Sequence, residues 1–164
     1  MILLTHALVG ASVANILSFN PVVAFGVSLA SHYLIDAIPH RDYGHYYFID
    51  KNSEPTHYIF HNYKLFSQIF AMSLDIIASI ILCSIIFFTN PTTIFITLVG
   101  IAGGILPDFL QLIYHLFKKE PMVTIQKIHH KIHASKPSSY VYGIFTQVFV
   151  VIIFIGAYLL QRFI

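Results

Sequence analysis

This chain is poor in charge. Of its 164 residues, 10% are Asp, Glu, Lys or Arg and 57% are hydrophobic, with a mean hydropathy of +0.75. Soluble domains carry about 25% charged residues, so an ordinary water-soluble fold is excluded and an integral membrane protein is expected. The net charge of +2 gives no case for a nucleic-acid partner. The single cysteine, Cys83, stands in an apolar run and offers neither a disulfide nor a zinc–thiolate motif. Glutamate is confined to Glu54 and Glu120, both in loops. There is no Gly-rich phosphate loop, no Gly-x-Ser-x-Gly elbow and no His-Glu-x-x-His. Any general base must then be Asp or His, or be generated by a metal ion. The opening run MILLTHALVGASVANILSF lacks the basic start of a secretory leader and contains His6, which predicts a retained helix.

What is present is apolar length. Runs fall at about 2–19, 21–39, 65–89, 91–117 and 140–163, against the roughly 20 residues that a spanning helix needs. The expectation is an all-α, polytopic membrane bundle of about five transmembrane helices, forming one domain over residues 1–164. Asn20-Pro21 and Asn90-Pro91 mark hairpin turns followed by helix starts. With five spans, residues 40–64 and 118–139 share one side. They hold Arg41, Lys51, Lys64, Lys118, Lys119, Lys127, Lys131 and Lys136, eight of the nine basic residues, with only Arg162 opposite. By the positive-inside rule that side is cytoplasmic and the membrane is a cell inner membrane.

The ionisable residues inside or beside the apolar runs carry the functional reading, because intramembrane charge is costly and retained for a purpose. His32, Asp36 and His40 recur every four residues, on one face of a continuing helix. Pro39 disfavours helix before it, so His32 and Asp36 are the stronger pair. Asp108 follows Pro107 and Gly103-Gly104, a kinked stretch able to free carbonyls. His129-His130-Lys131-Ile132-His133 puts three imidazoles within five residues. His6, His32, Asp36, Asp108, His129 and His133 are therefore the expected ligands of one or two divalent ions, Zn²⁺ first, since neutral imidazole and carboxylate suit it. The plainer reading of each is a structural His–Asp pair or a wet surface histidine. Asp75, isolated in the third run, divides evenly between a metal role and structural pairing. The roles of His40, His115 and His130 stay open. Tyr43, Tyr46, Tyr47, Phe48, Tyr58, Phe60 and Tyr63 predict a loop lying at headgroup depth. His45, His57 and His61 within it read as structural. Residues 28–36 and 100–108 echo each other weakly, both small-residue-rich and ending Leu-x-Asp.

Thr5-His6 with Gly10, then Ser31-His32-Tyr33-Leu34-Ile35-Asp36, then Ile105-Leu106-Pro107-Asp108 resemble motifs of the small bacterial and archaeal membrane-bound metal-dependent hydrolases. The chain differs from them in three ways. Phe109, Leu110 and Gln111 stand where a second acid and a histidine usually follow. The stretch from His129 to Ser135 only echoes His-Arg-Gly-x-Thr-His-Ser, and the motif order differs. The resemblance implies hydrolysis of a phosphoester or similar bond in a lipid or membrane-proximal substrate. The rival expectation is a metal-binding membrane protein or transporter, favoured by Asp75 at depth. A scaffold whose His–Asp pairs only fix packing is the third.

Overall fold

A computed structural model describes residues 1–17, 20–40, 63–117, 119–133 and 139–163. Among them every regular element is a helix: α1 Leu3–Leu17, α2 Pro21–Asp36, α3 Tyr63–Phe87, α4 Pro91–Phe117, α5 Met122–Ile132 and α6 Tyr140–Gln161. Both Asn-Pro junctions start helices for a chemical reason. Asn20 Oδ1 accepts from the amides of Val22 and Val23, and Pro21 fills the first helical position, where no N–H is needed. Asn90 Oδ1 accepts from Thr93 N at 3.0 Å, and Thr93 Oγ1 accepts from Asn90 N at 3.1 Å.

Three helices contain stretches long and apolar enough to cross a membrane: Ile69–Phe87, Pro91–Tyr114 and Tyr140–Gln161. The other two expected spans are shorter than their apolar runs suggested. α1 has 15 residues and α2 has 16, about 22–24 Å of helix against a hydrocarbon core of ~30 Å. The difference lies at the ends, because the runs counted turn residues that do not continue the helices. Large apolar side chains on α3 and α6, among them Ile77, Ile81, Ile85, Phe145, Phe149 and Ile152, face outward. That is the surface a lipid environment favours.

α1 is the enclosed helix. Its residues from Leu3 through Ala14, Leu4 apart, are buried, and it packs against α2, α3, α4 and α6. The approach to α4 is backbone on backbone. A Cβ added to Gly104 would lie 2.5 Å from the His6 carbonyl oxygen, and one added to Gly10 would lie 2.5 Å from that of Gly100. Only glycine lets two helices come so close. A helix start enclosed in this way needs partners for its free amides. They come from other helices: Gln147 Oε1 on α6 accepts from Ile2 N at 3.0 Å, and Asp75 Oδ2 on α3 accepts from Leu4 N at 3.4 Å.

α5 was not expected as a separate element. It packs on α4 and α2, buries Gln126 and His129, and turns Lys127, Ile128, His130 and Lys131 outward. The glutamate before it assists, Glu120 Oε2 accepting from Thr124 Oγ1 at 2.9 Å.

Candidate metal centre

Four helices deliver the six expected residues to one place. His6 lies one turn into α1, His32 and Asp36 close α2, and Asp108 follows Pro107 in α4. His129 lies in the last turn of α5, and His133 is its C-terminal cap. Asp36 is the hub. Its Oδ1 is 3.1 Å from His6 Nε2 and 3.7 Å from His40 Nε2. Its Oδ2 is 3.3 Å from His32 Nε2 and 3.4 Å from His129 Nε2. Asp108 adds its oxygens at 3.8 Å from His6 Nε2 and 3.9 Å from His32 Nε2. One donor atom from each of His6, His32, Asp36 and Asp108 fits within 4.8 Å of the others, and Asp36, His129 and His133 do the same.

These spacings are those of donors around an ion. Ligands about 2.1 Å from a tetrahedral metal stand roughly 3.4 Å apart. His6 Nδ1 and Nε2, His32 Nε2, Asp36 Oδ2 and His129 Nδ1 are all buried and make no hydrogen bond among the described residues. Buried polar atoms of this kind are rare, and several at one spot call for an ion or water.

The second-sphere contacts point the same way. His32 Nδ1 lies 2.7 Å from the Gly104 carbonyl oxygen, and His40 Nδ1 lies 2.7 Å from that of Ile38. A carbonyl only accepts, so each ring donates through Nδ1 and a neutral ring turns its Nε2 lone pair toward Asp36. Metal-ligating histidines are held in this manner. The Gly104 carbonyl is next to that of Gly103, which Pro107 leaves without its usual N–H partner, in a helix that runs on unbroken from Pro91 to Phe117. His6 and His32 stack with ring centroids 3.9 Å apart and planes at 23°.

Most donors of the centre are buried, and Asp108 and His133 are partly exposed. The side chains of His6, His32, Asp36 and His129 are at most 3% exposed, whereas Asp108 is 17% exposed. Tyr33 stands beside it, half-buried, edge-on to His32 at 5.4 Å and to His129 at 5.9 Å between ring centroids.

His40 joins this group although α2 stops at Asp36. The chain turns back after Ala37, and Thr146 Oγ1 on α6 donates to the Pro39 carbonyl at 3.1 Å. That brings His40 Nε2 to 3.2 Å from His133 Nε2. The Met1 amine lies 2.7 Å from His40 Nε2 and 2.9 Å from Asp36 Oδ1. His130 faces outward. Asp75 holds the backbone of α1. His45, His57, His61, Lys136 and the aromatic loop up to residue 62 lie outside the described residues, as does the side chain of His115.

Sequence reading missed two residues. Tyr33 follows His32 directly in the sequence, and no spacing or motif marks it out. Gln126, 4% exposed with Nε2 unpaired among the described residues, lies three residues before His129, a spacing that puts both on one helix face. No family model, no curated protein and no solved structure matches this chain.

Proposed function

We propose that this is a membrane-embedded metal-dependent hydrolase. It acts at the cytoplasmic face of the inner membrane on a phosphoester or similar bond of a lipid or membrane-proximal substrate. The observation that carries the reading is the buried set His6, His32, Asp36 and Asp108, drawn from three helices, with donor atoms at ion-ligand spacing. Asp36 and Asp108 supply two negative charges, and His6 and His32 supply neutral nitrogen, a donor set suited to Zn²⁺. These residues would hold a divalent ion, which when bound would supply a water of lowered pKa, toward ~7, and polarise a phosphoryl oxygen. The Gly104 carbonyl fixes the ring of His32. A neighbouring His or Asp would take up the proton that such a water releases.

Two further features favour a substrate at the membrane surface. The partly exposed flank at Asp108 and Tyr33 gives entry from the side on which the basic segments lie. Lys127 and Lys131 on the outer face of α5 attract an anionic headgroup or phosphate. The orientation follows from the basic loops whether α1 and α2 cross the bilayer completely or form a shorter hairpin. In both cases α3 leaves, and α4 returns to, the side that holds the centre.

The test uses purified zinc-loaded protein. It should cleave a member of a panel of phosphoesters and phospholipids, with activity lost in Asp108→Asn. His32→Ala and Asp36→Ala should each lose most of the bound metal while still inserting into the membrane. Metal retained but no panel substrate hydrolysed, together with zinc uptake into proteoliposomes above empty vesicles, would replace this reading with a metal transporter.

A further inference from the structure

The centre offers more donors than one ion takes. A catalytic zinc takes about three protein donors and keeps a position for water, and His6, His32, Asp36 and Asp108 already supply enough. His129 and His133 remain, and they address the same carboxylate from the side of α5. The side chain of His129 is 3% exposed, and its Nε2 is 3.4 Å from Asp36 Oδ2. His133 is stacked one turn away, with ring centroids 5.7 Å apart and planes at 28°. Together with Asp36 these two form a second set whose donor atoms all lie within 4.8 Å of one another. His40 Nε2, 3.2 Å from His133 Nε2, lines the same side.

We propose that the centre holds two divalent ions, with the carboxylate of Asp36 bridging them. One ion lies among His6, His32, Asp36 and Asp108, and the other lies among Asp36, His129 and His133. The geometry of Asp36 supports a bridge. Both oxygens are engaged: Oδ1 is 3.1 Å from His6 Nε2 and 2.9 Å from the Met1 amine, which an ion there would displace, and Oδ2 stands between His32 Nε2 at 3.3 Å and His129 Nε2 at 3.4 Å. A carboxylate shared in this way sets two ions about 3.5–4 Å apart, the separation at which both act on one phosphoryl group. The second ion also gives α5 a task. This short helix packs chiefly on α4 and more lightly on α2, and coordination through His129 and His133 would fasten it over the centre.

The proposal rests on the metal-binding part of the proposed function and does not depend on hydrolysis. Metal analysis of the full chain, purified in detergent and equilibrated with Zn²⁺, should give about two equivalents. His129→Ala/His133→Ala should hold about one, and Asp36→Ala should hold little. Mn²⁺-loaded wild-type protein should give the paramagnetic resonance spectrum of a spin-coupled pair, and the double variant that of isolated Mn²⁺. Wild type saturating at one equivalent, or Mn²⁺ uncoupled in wild type, overturns the proposal even if the double variant fails to fold. A double variant that still holds two ions also overturns it. Two coupled ions without hydrolysis keep the proposal and remove the enzyme reading. Hydrolysis with a single ion does the reverse.

Discussion

Gly104→Ala is the sharpest perturbation of this fold, because one methyl group meets backbone that cannot swing away. The added Cβ would lie 2.5 Å from the His6 carbonyl oxygen, 3.2 Å from its carbon and 3.4 Å from Gly10 Cα. Ordinary contact begins near 3.4 Å, so α1 and α4 must part by roughly 0.9 Å at this point. Overpacking of this kind costs about 1–3 kcal/mol, and exchanging glycine for alanine inside a helix returns up to ~1 kcal/mol. A net loss of about 1–2 kcal/mol is expected. The larger effect falls on the centre. His6 rides on α1, Asp108 on α4, and the Gly104 carbonyl itself orients His32. Metal–ligand distances tolerate about 0.2 Å, so a displacement several times larger should weaken zinc binding by about 10–100-fold, the usual result of disturbing an outer-sphere partner.

Gly26→Ala is the internal control. It also replaces a glycine within a helix, but nothing stands within 4 Å of the added Cβ. It should keep wild-type zinc affinity and unfold at the same or a higher temperature. Competition titration with a chelating dye and thermal unfolding in the same detergent read both quantities. If Gly104→Ala matches Gly26→Ala in both assays, the close α1–α4 contact does not position the ligands and the reasoning fails.

Two other predictions follow from the described geometry. Asp75→Ala removes a partner of the α1 amino end, so it should lower stability by about 1 kcal/mol, as loss of a helix cap does, with metal content unchanged; loss of metal would assign Asp75 to the centre. Reporter fusions after Lys64 and Lys136 should read cytoplasmic and one after Ile164 external. An external signal at Lys136 would put α5 on the wrong side of the membrane.

Much of this arrangement was legible before any coordinates. Run length alone marked α3, α4 and α6, and the Asn-Pro pairs marked two helix starts. The convergence of His6, Asp36 and Asp108 followed from counting crossings, since each lies near the same end of its run. α5 was hidden because its inner face is polar. Gln126, His129 and His133 occupy the positions where a periodicity reading looks for apolar side chains. His40 was discounted for a correct local reason, as Pro39 does follow the end of α2, but the turn that returns it to Asp36 depends on a contact with α6. Asp75 could not be read at all. An isolated acid in an apolar run looks the same whether it meets a metal or a free backbone amide, and only the packing of α3 on α1 decides between them.

The position of Asp75 also bears on whether this molecule reacts or conducts. A route through the bilayer needs ligands at successive depths. Asp75 faces Leu4, in the first turn of α1, and His6 lies only two residues further along the same helix. It therefore stands near the level of the centre and provides no step beyond it. Past that level the interior closes with apolar groups, Ala7, Leu8, Ala11, Cys83, Phe87, Ile101 and Tyr158 forming one packed cluster. Polar groups buried among these helices are paired, Ser12 Oγ donating to the Leu8 carbonyl at 2.8 Å, Ser79 Oγ to that of Asp75 at 2.6 Å and Asn15 Nδ2 to Thr97 Oγ1 at 2.8 Å. At the far end Gln161 Nε2 on α6 donates to the Ile16 carbonyl at 3.2 Å, and no described His, Asp or Glu stands there. Among the described residues the candidate donors gather at one end and apolar side chains pack beyond them, which favours the proposed surface chemistry over a route through the bilayer.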